Sequence, residues 1–167
     1  MTIGFRPLTA GDLPLLAAWL ERDHVRPWWP LPPEGLAAHY GPALEGREPT
    51  DLHLILLDER PVGMLETYLV ADYPEYDALL HVGPGVAGID LLLGEPDAIG
   101  RGVGPRVVAA FARDRVFANP DVRACVAGVD VDNRRSLRAF AKAGFQAVFD
   151  YEEEGRPHRL LRLDRPL

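Results

Sequence analysis

One carboxylate interrupts the most apolar stretch of the chain. Asp90 follows Ile89 and precedes three leucines, Leu91, Leu92 and Leu93. An ionised carboxylate in such surroundings is unfavourable unless a cation or hydrogen-bond donors meet it. Asp90 is therefore a candidate for holding a cationic group and accepting its proton. The alternative is that Asp90 caps a neighbouring loop at the end of a strand.

A glycine-rich segment follows shortly after Asp90 and leads into a helical pattern; it reads Ile99-Gly100-Arg101-Gly102-Val103-Gly104. Glycines let main-chain N–H groups approach a bound group, and a helix N-terminus adds partial positive charge, so the segment predicts a diphosphate site. No Lys-Ser or Lys-Thr follows Gly104, which excludes a P-loop. The chain also lacks the βαβ repeat and acidic residue of a dinucleotide site.

Short strands and helices must position these groups. Apolar spacings predict strands over 3–8, 52–57, 62–70, 86–93, 122–129, 145–151 and 158–163, and helices over 11–22, 35–44, 105–117 and 133–143. Loops are predicted over 24–33 and over 71–85, the second covering a site. Because there are no repeats or linkers, we expect one mixed α/β domain over residues 1–167.

Composition narrows the partners and the compartment. The net charge of −7 disfavours nucleic acid, which needs a basic face, and suits a cationic substrate, although acidity also serves solubility. No apolar run is long enough for a membrane helix, and the N-terminus does not resemble a signal peptide. Cys125 stands alone without a histidine partner, so we expect a packing role and a cytoplasmic protein. The five histidines show no metal-binding spacing.

A second motif lies about one strand further along; it reads Asn133-Arg134-Arg135-Ser136-Leu137-Arg138-Ala139-Phe140-Ala141-Lys142-Ala143-Gly144-Phe145. Together with the glycine-rich segment it resembles the GNAT superfamily of acetyltransferases, which pairs R/Q-x-x-G-x-G/A with N-x-x-(A/S)-x-x-(F/Y)-x-K-x-G-F. The resemblance implies a central, mostly antiparallel twisted sheet flanked by about four helices. It also implies acetyl-coenzyme A as cosubstrate and no metal.

The resemblance assigns cofactor-binding roles to particular positions. The backbone of Ile99–Gly104 would hold the coenzyme A pyrophosphate, and Asn133 would hydrogen-bond the cofactor. Ser136 and Phe140 would line its pantetheine or sulfur end. Main-chain N–H groups in Leu91–Leu93 would contact the thioester, those near Leu91 and Leu92 acting as an oxyanion hole.

Two positions depart from the superfamily pattern. Ile99 replaces the usual Arg or Gln, so we expect weaker cofactor placement. Phe140 replaces the Tyr that usually donates a proton to the leaving thiolate, so we expect a slower enzyme. Restoring the hydroxyl with Phe140→Tyr should leave activity equal or higher.

Within the superfamily the chain resembles the aminoglycoside 6′-N-acetyltransferases, most specifically in Pro84-Gly85-Val86-Ala87-Gly88-Ile89-Asp90. The resemblance makes Asp90 the general base or the anchor of the attacking amine. Trp28 and Trp29 would form an apolar or cation–π wall, with core packing as the alternative for at least one of them. The other predicted substrate-binding residues are Glu66, Tyr68, Asp72 and Asp77, with Glu75 also flanking the cleft. Gly83 stands where the resistance enzymes often have an acidic residue, so the pocket is expected to differ.

Other functions remain open from the sequence. A siderophore-type lysine N-acyltransferase would use a histidine near the central strand, for which His81 is the candidate. Acetylation of another small amine, or of a protein terminus or lysine, is a third possibility. A non-catalytic acyl-coenzyme A-binding module would explain Phe140. For the aminoglycoside acetyltransferase we expect a monomer or homodimer whose partner is a small, polycationic amine.

Overall fold

The computed structural model describes residues 1–167, and strands and helices alternate along them. The elements are β1 Ile3–Pro7, α1 Leu13–Leu20, α2 Leu36–Leu44, β2 Thr50–Leu57, β3 Arg60–Leu69, α3 Pro74–Leu80, β4 Val86–Leu93, α4 Val103–Phe111, β5 Ala124–Asp130, α5 Arg134–Lys142, β6 Gln146–Glu153 and β7 Arg156–Asp164. All seven predicted strands are present, which confirms the mixed α/β class.

One loop prediction and one helix prediction need correction. The segment 71–85, predicted as a loop, contains the seven-residue helix α3. Its proline and tyrosines suggested a turn, yet Pro74 occupies the first helical position, where its missing N–H costs nothing. Tyr76 and Leu80, one helical turn apart, pack inward. In addition, α4 begins at Val103 and is followed by a π-helical turn, Ala112–Val116, where a continuous α-helix was predicted.

The strands form one sheet in the order β1-β2-β3-β4-β5-β7-β6. The pairings β1–β2, β5–β7 and β6–β7 are antiparallel, and β4–β5 is parallel. The parallel pairing is short, since it joins Val86–Gly88 to Ala124–Val126 and goes no further. Both strands continue beyond that point, so Asp90 lies two residues past Gly88, the last residue of β4 that pairs with β5.

The chain divides into two compact units, the first comprising residues 1–66 and 91–101. Its interior is built around Leu16, Trp19, Leu54 and Met64, all fully buried. The Trp19 indole N–H donates to Glu95 Oε1 at 2.8 Å, which ties α1 to the segment that follows β4.

The second unit comprises residues 67–90 and 102–167. One face of its sheet carries a small apolar cluster that includes Val70, Leu80 and Val126, with tyrosines packed around it. Cys125 is also fully buried, in agreement with its predicted packing role. None of the helices combines the length and the apolar character that spanning a membrane would require. That residues 1–167 act as one domain remains our prediction.

Candidate functional site

Asp90 and Tyr68, two of the residues predicted for the acceptor site, meet in the second unit. The Tyr68 hydroxyl donates to Asp90 Oδ2 at 3.3 Å. Strand β3 is held against β4 here by Thr67, whose hydroxyl donates to the Gly88 carbonyl at 2.9 Å. Tyr68 thus gives the Asp90 carboxylate a protein donor, and because Asp90 is only half-buried it also borders solvent. Asp90 therefore has the hydrogen-bond donor that an ionised carboxylate needs in an apolar strand.

Further tyrosines surround this pair. The Tyr68 ring makes edge contacts with Tyr73 and Tyr76, with ring centroids 5.5 Å and 6.1 Å apart. The Tyr76 and Tyr151 hydroxyl oxygens lie 3.4 Å apart. The Tyr151 hydroxyl occupies the space beside Gly128 of β5, where an added Cβ would clash with it. Only glycine at this position leaves room for the hydroxyl pair.

Burial keeps both hydroxyls of this pair protonated. It raises the pKa of Tyr76 well above the ordinary tyrosine value, and the negative charge of Asp90 adds to the effect. Burial likewise raises the pKa of Tyr151 to about 12, with smaller contributions from Glu153 and Asp90. The two phenols therefore stay neutral near pH 7 and can donate hydrogen bonds. The pKa of the Cys125 thiol is raised for the same reason, which makes a nucleophilic role unfavourable.

The closing hairpin contributes two further ionisable groups. A register shift between Ala147 and Phe149 marks a bulge in β6. After it, Tyr151 pairs with His158, and their rings stack with centroids 5.7 Å apart. Glu153 lies 3.6 Å from His158 Nε2, and burial raises the pKa of this carboxylate.

The N-terminus of α4 has the properties of an anion site. Gly102, which precedes it, has φ +74°, a left-handed conformation that favours glycine. No side chain caps the helix, and its first turn contains no acidic residue. A Cβ at Gly102 would meet nothing within 4 Å, so the approach is open. Val103 and Gly104 therefore present first-turn N–H groups that suit a phosphate, while Pro105 has none to offer.

Helix α5 shows how three predicted cofactor residues are placed. Asn133 caps it, since its side-chain oxygen accepts from the Ser136 main-chain N–H at 3.3 Å. Phe140 is 2% exposed and packs edge-on against Phe145 at 5.1 Å between centroids. Asn133 thus precedes the first turn and Ser136 lies in it, whereas Phe140 is a packing group in the interior. Their cofactor contacts remain predictions.

The other predicted residues can be located one by one. Trp29 packs against the core of the first unit and donates to the Tyr40 hydroxyl at 3.2 Å, which is the core-packing alternative. His24 Nε2 meets the Leu93 carbonyl oxygen at 2.9 Å. In the first unit, Trp28, Glu66 and Leu91 are half-buried, Leu92 is buried, and Gly100 has φ +73°. Their binding roles remain predictions, as do those of Ile99 and Arg101.

Two further residues that are predicted to bind the acceptor lie in the second unit: Asp77 is half-buried in α3, and Asp72 is exposed just before it. The sequence reasoning missed Tyr76, Tyr151, Glu153 and His158. A usable signal was Gly128 within an otherwise regular strand, because such a glycine marks the close approach of another group.

Known proteins support this architecture. The family model for the acetyltransferase (GNAT) domain matches residues 9–152. Aminoglycoside N(6′)-acetyltransferase type 1 of Klebsiella pneumoniae is 28% identical over 151 residues, which is 87% of this chain and 74% of that protein. A crystal structure of the aminoglycoside acetyltransferase AAC(6′)-Ib with coenzyme A is 26% identical, has a TM-score of 0.88, and covers 98% of this chain and 95% of its own.

A second structure of AAC(6′)-Ib, in complex with coenzyme A and kanamycin, has the same TM-score of 0.88 and 26% identity, with 98% of this chain and 95% of its own covered. The family match includes Asp90, the N-terminus of α4 and the whole of α5. The chain belongs to the acetyltransferase (GNAT) domain family.

Proposed function

We propose that this protein transfers the acetyl group of acetyl-coenzyme A to an amino group of an aminoglycoside, the 6′-amino group. The single observation that carries the proposal is Asp90, held by the Tyr68 hydroxyl just beyond the point where β4 and β5 stop pairing. The similarity to enzymes with this activity supports the choice of acceptor.

Asp90 would act on the acceptor amine. The ammonium group binds the carboxylate, which accepts one proton directly or through a water molecule. The neutral nitrogen then attacks the thioester carbonyl carbon, and the carbon–sulfur bond breaks to release the coenzyme A thiolate. The nitrogen loses its second proton, which the thiolate takes up through solvent, and no acyl-enzyme forms. A positioned base of this kind typically contributes ~10²–10⁴-fold to the rate.

The N-terminus of α4 would bind the cosubstrate. The N–H groups of Val103 and Gly104, next to left-handed Gly102, suit the negative charge of a diphosphate. Asn133 has committed its side-chain oxygen to the helix cap, so its amide nitrogen is the group that would donate to the cofactor. Phe140 cannot protonate the leaving thiolate, so this step proceeds without that donor.

The test is thiol release from acetyl-coenzyme A with kanamycin as acceptor. We expect Asp90→Asn to lower kcat by at least ~10²-fold, because the amide can neither accept the proton nor hold the ammonium. Calorimetry should show unchanged coenzyme A binding. Asp51→Asn is the matched control, since Asp51 is an exposed carboxylate on β2.

Full activity of Asp90→Asn would remove the assigned role of this carboxylate. Lysine and polyamines in the same assay separate the alternatives: preference for lysine would indicate the siderophore-type activity, and binding without turnover an acyl-coenzyme A-binding module. His81 does not favour the siderophore-type activity, because it ends α3 in an exposed, left-handed conformation.

A further inference from the structure

The segment between α3 and β4 is short and sharply bent. It comprises residues 81–85, which we call the α3–β4 loop. Every second residue of this loop has a positive φ, which is +51° at His81, +78° at Gly83 and +73° at Gly85. A loop of this shape cannot pair its carbonyl groups within a helix or a strand, so they depend on water or on side chains.

One side chain binds the α3–β4 loop at two points. Arg123 directly precedes β5, and its Nε donates to the Pro84 carbonyl oxygen at 2.8 Å. Its Nη2 donates to the Val82 carbonyl oxygen, also at 2.8 Å. The planar guanidinium presents these donors in a fixed fork, so both carbonyl groups are held in one orientation. A Cβ at Gly83 would lie 3.1 Å from Nη2, so the glycine between the two carbonyl groups leaves room for the guanidinium.

The main chain of Arg123 fixes the base of this fork. Its N–H donates to the Gly85 carbonyl oxygen at 2.8 Å, and its own carbonyl oxygen accepts from the Arg165 main-chain N–H at 2.8 Å. Arg123 is thus tied to the end of the loop and to the segment that follows β7. The loop therefore cannot shift without breaking the two bonds from the side chain.

The loop in turn helps to determine where α3 lies. A helix of seven residues is too short to be stable alone, so α3 depends on its inward-packed Tyr76 and Leu80 and on the loop at its end. Tyr76 also reaches the predicted acceptor site, where its ring contacts Tyr68 and its hydroxyl lies 3.4 Å from that of Tyr151. A shift of α3 would move Tyr76 and leave Asp90 in place, because Asp90 belongs to β4.

We propose that Arg123 is a positioning residue for the acceptor, because it fixes the α3–β4 loop and thereby the place of Tyr76. This inference rests on the proposed function and concerns how the acceptor is bound in it. Arg123 acts on acceptor binding, and neither on the reaction at Asp90 nor on the cofactor site at the N-terminus of α4.

The kinetic test uses Arg123→Met, which keeps an unbranched apolar stem and removes every donor of the side chain. We expect KM for kanamycin to rise about tenfold and kcat to change less than about twofold, because the reacting groups stay in place. The Kd for coenzyme A, measured by calorimetry, should stay unchanged. Arg113→Met is the matched control, since Arg113 is 72% exposed and pairs with its neighbour Asp114.

A second measurement needs no turnover. Hydrogen exchange followed by mass spectrometry reports on α3, where the Asp77 and His81 N–H groups donate to main-chain carbonyl oxygens at 2.9 Å. The segment 74–81 should exchange about tenfold faster in Arg123→Met than in the parent protein and in Arg113→Met. Peptides from β7 should exchange at the rate of the parent protein.

A conservative variant keeps the test decisive if Arg123→Met fails to fold. Arg123→Lys retains the charge but replaces the planar fork with a single ammonium group, so both effects should be smaller and in the same direction. In that case Arg123→Lys decides by the same two measurements, and parent values in both of them overturn the inference.

The outcomes separate the two proposals. Unchanged exchange in α3, or faster exchange with an unchanged KM for kanamycin, overturns the role of Arg123 and leaves the proposed function standing. A fall in kcat without a change in KM overturns it as well, because Arg123 would then act on the reaction. A parent protein that acetylates no aminoglycoside overturns the proposed function, and the acceptor role of Arg123 falls with it.

Discussion

At the scale of single residues, the predicted acceptor site combines negative charge with neutral hydroxyls. Asp90 supplies a carboxylate that borders solvent, and Tyr68 donates to it at 3.3 Å. Tyr76 and Tyr151 add two buried hydroxyls whose pKa values are raised, so they bind as donors without adding charge. Such a site can recognise both an ammonium group and the hydroxyl oxygens of an amino sugar.

Phe140 illustrates how packing limits a chemically sensible change. Phe140→Tyr restores the phenol of the superfamily, and activity per folded molecule should be equal or higher. The ring is 2% exposed, however, and a hydroxyl buried there without a partner should lower the free energy of unfolding by about 1–3 kcal/mol. Urea unfolding monitored by circular dichroism measures this cost.

The control for this change is Phe149→Tyr, because Phe149 is 39% exposed and its new hydroxyl would reach water. Its free energy of unfolding should stay within about 0.5 kcal/mol of the parent value. Equal stability of Phe140→Tyr and the parent would mean that the new hydroxyl finds a partner. A large loss of activity would mean that the ring shapes the pocket.

At the scale of elements, the register of the β6–β7 hairpin decides which side chains reach the predicted acceptor site. Side chains alternate between the two faces of a strand, so one extra residue changes the face of all that follow. The bulge between Ala147 and Phe149 brings Tyr151 into contact with His158 and with Tyr76. Without the bulge, an even-numbered residue, Asp150, would lie opposite His158 in place of Tyr151.

An ion pair between Arg6 and Asp12 joins β1 to the residues just before α1. Asp12 accepts from Arg6 at 2.8 Å and from the Thr9 main-chain N–H at 2.8 Å. The hydrogen bond from Arg6 is the main cause that lowers the pKa of Asp12 from 3.8 to about 2. A lowered pKa stabilises the folded state above about pH 4, and this contribution disappears as the pH falls toward 2.

We therefore expect Asp12→Asn to lower the free energy of unfolding by about 1 kcal/mol at pH 7, a modest value because Arg6 is 41% exposed. The difference from the parent should shrink between pH 4 and the acid limit of the folded state. Urea unfolding at pH 7, 4 and 3 measures it. Asp23→Asn is the control, since the Arg26–Asp23 pair is exposed on both sides. About half of the difference should remain at pH 3, where Asp12 is still mostly ionised in the folded state, so a difference as large at pH 3 as at pH 7 would contradict this account.

At the scale of the whole molecule, ligand binding should raise the free energy of unfolding. If the α4 N-terminus holds a diphosphate, coenzyme A at about 100 times its Kd should stabilise the folded protein by about 2.7 kcal/mol. For a chain of 167 residues this corresponds to a rise in Tm of about 5–10 °C. Differential scanning fluorimetry measures it, with adenosine, which lacks the diphosphate, as the control ligand. An unchanged Tm with coenzyme A would contradict the predicted cofactor site.

The sequence was sufficient for the order of the strands along the chain and for the two motifs that predict a cofactor site. Each strand consists of alternating or continuous apolar residues because one or both of its faces are buried, and this apolar pattern can be recognised in the sequence. Asp90 stood out because an isolated carboxylate in an apolar strand is costly without a partner. Helix α3 was missed because seven residues carry too little periodicity to outweigh a proline and two tyrosines that suggest a turn.

By itself, then, the sequence determined the family, the class of fold and the carboxylate expected to meet an amine, since these depend on local residue types and their spacing. Only the tertiary structure decided which groups join Asp90 and Tyr68 in the predicted acceptor site. Tyr76, Tyr151, Glu153 and His158 come from three elements, and their proximity depends on the register of β6 and on the absence of a side chain at Gly128. Such contacts depend on packing between distant parts of the chain, which no local pattern encodes.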